Sequence, residues 1–149
     1  MLKRRDLERF IELIPDWDEL SIGLNWVVLS KQTDCDGYYR RGEIAVCAWP
    51  STLWTENLSK YWYWEHAELL ARLGVDVWKV GHRWVAEWTE NQVRSYQLMH
   101  VFLHELGHHH DRMTTCDKRY VSRGEPYAQA FAFELEEQLW EGFARVFPL

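Results

Sequence analysis

The run His104-Glu105-Leu106-Gly107-His108 sets two imidazoles four residues apart, with a carboxylate beside the first. Four residues of α-helix are one turn plus about 40° and roughly 6 Å of rise, so both rings project from one side and can bind the same ion. Glu105 stands about 100° further round, near enough to act on a metal-activated water without ligating. Zinc suits this pattern, because it lowers the pKa of a bound water toward ~7 and polarises a carbonyl oxygen. Glu105 is then the expected general base, taking the water proton and passing it to the leaving amine. A catalytic zinc takes three protein ligands and keeps one position open, so a third ligand must come from downstream. Two residues compete for it: Glu125, in Gly124-Glu125-Pro126-Tyr127-Ala128-Gln129, and Asp117, in Thr115-Cys116-Asp117-Lys118-Arg119-Tyr120.

Such groups need rigid supports. Thr89 with Gln92 three residues on has the capping-box form and starts a helix expected to continue to about residue 111. Val93, Leu98, Met99, Val101, Phe102, Leu103 and Leu106 point almost all the way round it, which predicts a helix buried on most sides. Burying two histidines and a glutamate there without a metal or partners would be costly. A helix C-terminus favouring cationic side chains accounts for His109 and His110, but poorly for His104. A last helix is expected from about 125 to 146, with Ala128, Phe131, Ala132, Leu135 and Leu139 on one face and Pro126 in its first turn. Small Ala128 would let it lie close against the HExxH helix. Glu125 would therefore rest on a rigid element and Asp117 on a loop, which favours Glu125. Asp111 is then an acceptor behind a ligand or a solvated residue. Tyr120 and Tyr127 are the nearest candidates for stabilising an oxyanion, and each also reads as a packing tyrosine. His100, four residues before His104, reads as a satisfied core histidine or a partner of the ligand.

The first half is strand-like. Residues 3–14 have helical spacing through Leu7, Phe10, Ile11 and Ile14; 22–30 and 38–49 read as a hairpin with a longish loop; 57–73 reads as a helix stopped by Gly74. Residues 75–80 and 84–88 read as short strands about Gly81-His82, His82 being a turn or surface histidine. The expected architecture is α+β, one domain over 1–149, with a small twisted, mostly antiparallel sheet packed on the HExxH helix. An edge strand from 38–49 or 75–88 would hold an extended substrate by strand addition. Most of the 10 Trp lie between Trp49 and Trp88, as core packing or as aromatic walls for substrate side chains.

Composition excludes other classes. With 47% apolar and 27% charged residues, 8 Gly and 4 Pro, the chain is neither disordered nor collagen-like. A net charge of −6 argues against nucleic-acid binding, for which Lys3, Arg4, Arg5 and Arg9 form the one obvious patch. The start, MLKRRDLERF, lacks the apolar stretch of a signal peptide, and no run approaches the ~20 apolar residues of a membrane span. Three cysteines without a CxxC pair suit a reducing cytoplasm.

His104 to His108, followed by Glu125-x-x-Ala128 and Phe131-Ala132, resembles the glutamate-zincin (gluzincin) metallopeptidases over about residues 92–140, and is most similar to the short cytoplasmic ImmA/IrrE-type proteins. The resemblance implies a zincin-like fold and cleavage of a peptide or protein substrate. It implies one zinc per chain on His104, His108 and Glu125, with Glu105 as catalytic base. Tyr127 stands where that family has a second acidic residue, Gln129 replaces its Asn, and its Leu-Leu-Met-Pro-like ending is absent. The alternative, Thr115-x-Asp117-x-x-Tyr120, is similar to the aspzincins, in which Asp is the third ligand and Tyr assists; those are typically secreted and disulfide-bearing, which fits three cysteines and no signal-peptide pattern badly. Metzincins would need Gly and His at Asp111 and Thr114. A reading of another class is a zinc-stabilised regulatory or protein-interaction module with little peptidase activity. Glu105 speaks against it, since a structural site has no use for an unligated carboxylate beside the metal.

Overall fold

A computed structural model describes residues 1–52, 54–115 and 123–148. In chain order the elements are α1 (Arg4–Ile11), α2 (Trp17–Leu20), β1 (Trp26–Ser30), β2 (Gly37–Arg40), β3 (Glu43–Cys47), β4 (Thr55–Leu58), α3 (Lys60–Arg72), β5 (Asp76–Val80), β6 (Arg83–Glu87), α4 (Glu90–Tyr96), a π-helical segment (Gln97–Phe102), α5 (Leu103–Thr114) and α6 (Gly124–Val146). The α+β class is therefore present, but as two three-stranded sheets, ordered β1-β3-β2 and β4-β6-β5.

The first sheet departs from the expected 22–30/38–49 hairpin. Residues 38–49 are not one strand. The chain reverses at Arg41-Gly42, both with positive φ (45° and 90°), the backbone of a tight two-residue hairpin turn, so β2 and β3 pair antiparallel. β1 instead lies parallel to β3, Trp26 opposite Glu43, and β2 takes the sheet edge. The second sheet keeps the expected β5–β6 hairpin about Gly81-His82. β4 pairs with β6 and takes Asn57 and Leu58 from the expected helix start; Ser59, whose side chain accepts from the Trp62 N–H, caps α3 after it. α1 ends at Ile11 rather than residue 14, and a short α2 follows where the sequence pattern predicts no element.

Thr89 and Gln92 make the capping box that starts α4, as the sequence predicts. Between α4 and α5 the helix widens into a π-helical segment in which all six residues are buried. There Gln97 donates to the Cys47 carbonyl on β3 (2.8 Å), so helix and sheet join through a paired polar group. Phe10 meets Phe102, Phe143 and Phe147 edge-on at 5.8–6.4 Å, closing α1 over the π-helical segment and α6. Trp49, Trp88 and Tyr96 form a second aromatic knot.

α5 and α6 make the closest contact. A Cβ built on Gly107 would fall 2.8 Å from the Ala128 Cα, so the two helices meet backbone to backbone, and that brings the first turn of α6 beside the histidines of α5. No helix among the described residues is long and apolar enough to cross a membrane.

Candidate metal centre

His104 and His108 project from the same side of α5 with ring centroids 4.9 Å apart. Glu125, in the first turn of α6, reaches between them: its Oε2 lies 3.0 Å from His104 Nε2 and its Oε1 3.2 Å from His108 Nε2. One ligand atom from each of the three residues falls within 4.8 Å of the others, the one such group among the described residues. Tetrahedral zinc with bonds of ~2.0–2.1 Å spaces its ligand atoms ~3.3 Å apart, and two imidazoles and a carboxylate gathered within 4.8 Å are a donor set of the type it takes. Asp117 and Tyr120 lie outside the described residues.

A chain of hydrogen bonds sets the orientation of the His104 ring. His66, on α3, donates from Nδ1 to the Trp62 carbonyl (2.8 Å) and stacks on the Trp62 ring. Burial, reinforced by His100, lowers its pKa to about 4, so the ring is neutral and Nε2 carries a lone pair. That lone pair accepts from the Gln129 amide nitrogen (3.2 Å) and from His100 Nε2–H (2.9 Å). With its nitrogen turned to His66, Gln129 presents Oε1 to His104 and accepts the Nδ1–H (3.0 Å). His104 turns Nε2 toward Glu125 Oε2 (3.0 Å), the nitrogen that would take a metal while Nδ1–H stays engaged by Gln129. At the far end, His100 Nδ1 lies 2.7 Å from a Glu136 carboxyl oxygen. Burial raises Glu136 to about 8 and lowers His100 to about 4, so the acid donates to the ring. His100 is thus the satisfied core histidine, tied to a ligand through His66 and Gln129.

The other α5 side chains anchor the supports. His109 is fully buried, donating from Nε2 to the Ile22 carbonyl (3.0 Å) and accepting the Tyr39 hydroxyl at Nδ1 (3.2 Å); it ties β2 to α5 rather than answering the helix terminus. Asp111, also buried, accepts from Arg123 Nε (2.6 Å) and the Gly124 N–H (3.1 Å), and so fixes the start of α6 directly before Glu125. Burial opposes its ionisation, but these bonds and that from Thr115 hold its pKa below the usual carboxylate range. Tyr127 gives its hydroxyl to His110 Nδ1 (2.7 Å) and stacks under Arg123, so it is turned to the helix–helix joint.

The metal group lies in a cleft of about 660 Å³ with β2 along one wall, through Gly37, Tyr38 and Tyr39, and Arg112 and Thr115 beyond. Glu105 lines it while remaining 7% exposed. Gly37 makes this possible: a Cβ there would come 3.1 Å from Glu105 Cγ and 2.7 Å from Val101 Cγ1. Burial, then the charges of Glu125 and Asp36, raise the Glu105 pKa to about 8; a divalent cation alongside acts in the opposite sense. Tryptophan does not wall this cleft. Trp62 lines a smaller recess next to it, with His66 and His104, and the aromatics of the cleft itself are Tyr38 and Tyr39. Gln129, His66, Gly37 and Arg112 were not singled out from sequence for this site; for the first two the signal was the spacing of polar residues on buried helix faces.

Comparison with family models, curated proteins and solved structures finds no match for this chain.

Proposed function

We propose that the chain is a zinc-dependent metallopeptidase of the zincin type, with His104, His108 and Glu125 as metal ligands and Glu105 as general base. The observation that carries this reading is the convergence of those three donors within 4.8 Å of one another beside a buried carboxylate, Glu105, in the same cleft. Zinc bound there would lower the pKa of a water toward ~7 and polarise a substrate carbonyl. Glu105 takes the proton from the attacking water and returns it to the departing amine, its low exposure keeping bulk water from competing. β2, at the edge of its sheet, offers backbone groups to an extended peptide lying along the cleft. Among the described residues, Tyr38 and Arg112 line the cleft and could supply an oxyanion partner, whereas the Tyr127 hydroxyl is engaged by His110. We place the protein in the reducing cytoplasm on the three cysteines without a CxxC pair.

The test has two readings. Protein prepared without chelator carries about one zinc per chain by elemental analysis; absence of divalent metal and of zinc uptake by the stripped protein refutes the metal reading. Wild type then cleaves members of a mixed peptide library and Glu105→Gln, still zinc-loaded, does not. Zinc without cleavage by either protein would favour the regulatory or protein-interaction module instead.

A further inference from the structure

Where the loop before β2 meets the end of β3, two thiols face each other. Cys35 is exposed in the loop before β2, and Cys47 is buried at the end of β3; their sulfurs are 3.4 Å apart. The backbone on both sides of the pair is already pinned. The Cys47 N–H donates to the Asp36 carbonyl (2.8 Å) and the Ala48 N–H to the Gln32 carbonyl (2.9 Å), so the 32–36 loop is laced to the end of β3 around the sulfurs. A disulfide needs sulfurs ~2.05 Å apart, and these already stand in van der Waals contact at 3.4 Å.

We propose that Cys35 and Cys47 form a reversible oxidation site whose oxidant is a hydroperoxide, with Cys35 the attacking thiol and Cys47 the resolving one. The division of labour follows from access. The exposed Cys35 thiolate attacks the terminal hydroperoxide oxygen; the O–O bond breaks, the alkoxide (hydroxide from hydrogen peroxide) leaves, and Cys35 becomes a sulfenic acid. The Cys47 sulfur then attacks Cys35, the S–O bond breaks, and the Cys47 proton leaves with the hydroxyl as water. Two thiols have given two electrons to one peroxide. Burial, and then the neighbouring Cys35, push the Cys47 thiol up to about 12, so it is not the group that meets peroxide first. Once formed, the bond staples the loop entering β2 to β3 and stiffens the strand that borders the cleft. This inference is independent of the metal reading.

The experiment treats folded Cys116→Ser protein with hydrogen peroxide, then maps disulfides by peptide mass spectrometry and traps sulfenic acid with dimedone. The expected result is a Cys35–Cys47 cross-linked peptide, a loss of both free thiols, and full reversal by dithiothreitol. Cys35→Ser should give no cross-link. Cys47→Ala, checked for folding by circular dichroism, should give a dimedone adduct on Cys35 at least severalfold above that of the parent. Equal dimedone labelling with and without Cys47, over-oxidation of Cys35 with no cross-link, or an unreacted Cys35 in the folded parent would each overturn the proposal, as would cross-links formed only through Cys116 in wild-type protein.

Discussion

The Cα of Ala128 occupies the space that a side chain on Gly107 would need: a Cβ there would lie 2.8 Å from that atom and 2.9 Å from the Ala128 carbonyl oxygen. Both are backbone atoms, so neither can swing aside, and relief requires α5 and α6 to separate. Glu125 sits one turn before Ala128 and would move with α6, whereas His104 and His108 stay with α5.

Gly107→Ala is therefore expected to weaken zinc binding at least tenfold, even though alanine is the better helix former by ~1 kcal/mol. Overpacking of this kind costs ~1–3 kcal/mol, felt here as a change of ligand geometry. Competitive titration against a chromophoric chelator measures the affinity, and circular dichroism confirms the fold. Unchanged affinity would show that Glu125 does not depend on the close approach of the helices.

Glu125→Ala should reduce zinc affinity by well over ~100-fold, and Asp117→Ala should stay within the ~10–100-fold range typical of groups that only support ligands. The reason is structural on one side: Asp111, Arg123 and Gly124 pin the turn that carries Glu125. Loss of metal in Asp117→Ala with retention in Glu125→Ala would reverse the assignment.

Much of this was legible in the sequence because it rests on local rules. The His104/His108 spacing, the Thr89-Gln92 cap, the Gly74 stop and the small Ala128 each act within a turn or two of helix. What escaped reading is non-local or turn-encoded. Arg41-Gly42 splits one apparent strand in two, because positive φ at consecutive residues reverses the chain. Parallel pairing of β1 with β3 is decided by the path of the intervening loop and β2, which no periodicity reports. Gln129 and His66 meet across 63 residues of chain, so their joint hold on His104 is visible only once α3 and α6 are side by side.

Gln129→Leu removes the acceptor that fixes the His104 Nδ1–H and leaves the ring free to change tautomer and tilt. Zinc affinity should fall ~10–100-fold. Gln129→Asn, too short by one methylene to bridge both rings, should fall between wild type and Gln129→Leu. Titration of the three proteins checks the order; equal affinities would mean that the His66–Gln129 chain does not orient the ligand.

Glu136 supplies a pH signature away from the metal ligands. Burial raises its pKa from 4.5 to about 8, with Arg72 lowering and Glu68 raising it. Above about pH 6.5 the unfolded chain holds no proton on this carboxyl while the folded protein does, so stability falls as pH rises toward 8. At 1.36 kcal/mol per unit, the loss across this window is about 2 kcal/mol from this group. Below that window the depressed histidines His66 and His100 act in the opposite sense, each needing to stay neutral in the folded state, and mask the slope. Glu136→Gln keeps a donor toward His100 Nδ1 without an ionisable proton. In metal-stripped protein, urea unfolding at pH 6.5, 7.2 and 8 should give the variant the shallower decline, with a gain of about 2 kcal/mol relative to wild type by pH 8. Glu105, also raised to about 8, leaves a residual slope common to both proteins. Parallel declines in the two would place a charged, not a protonated, carboxyl against His100.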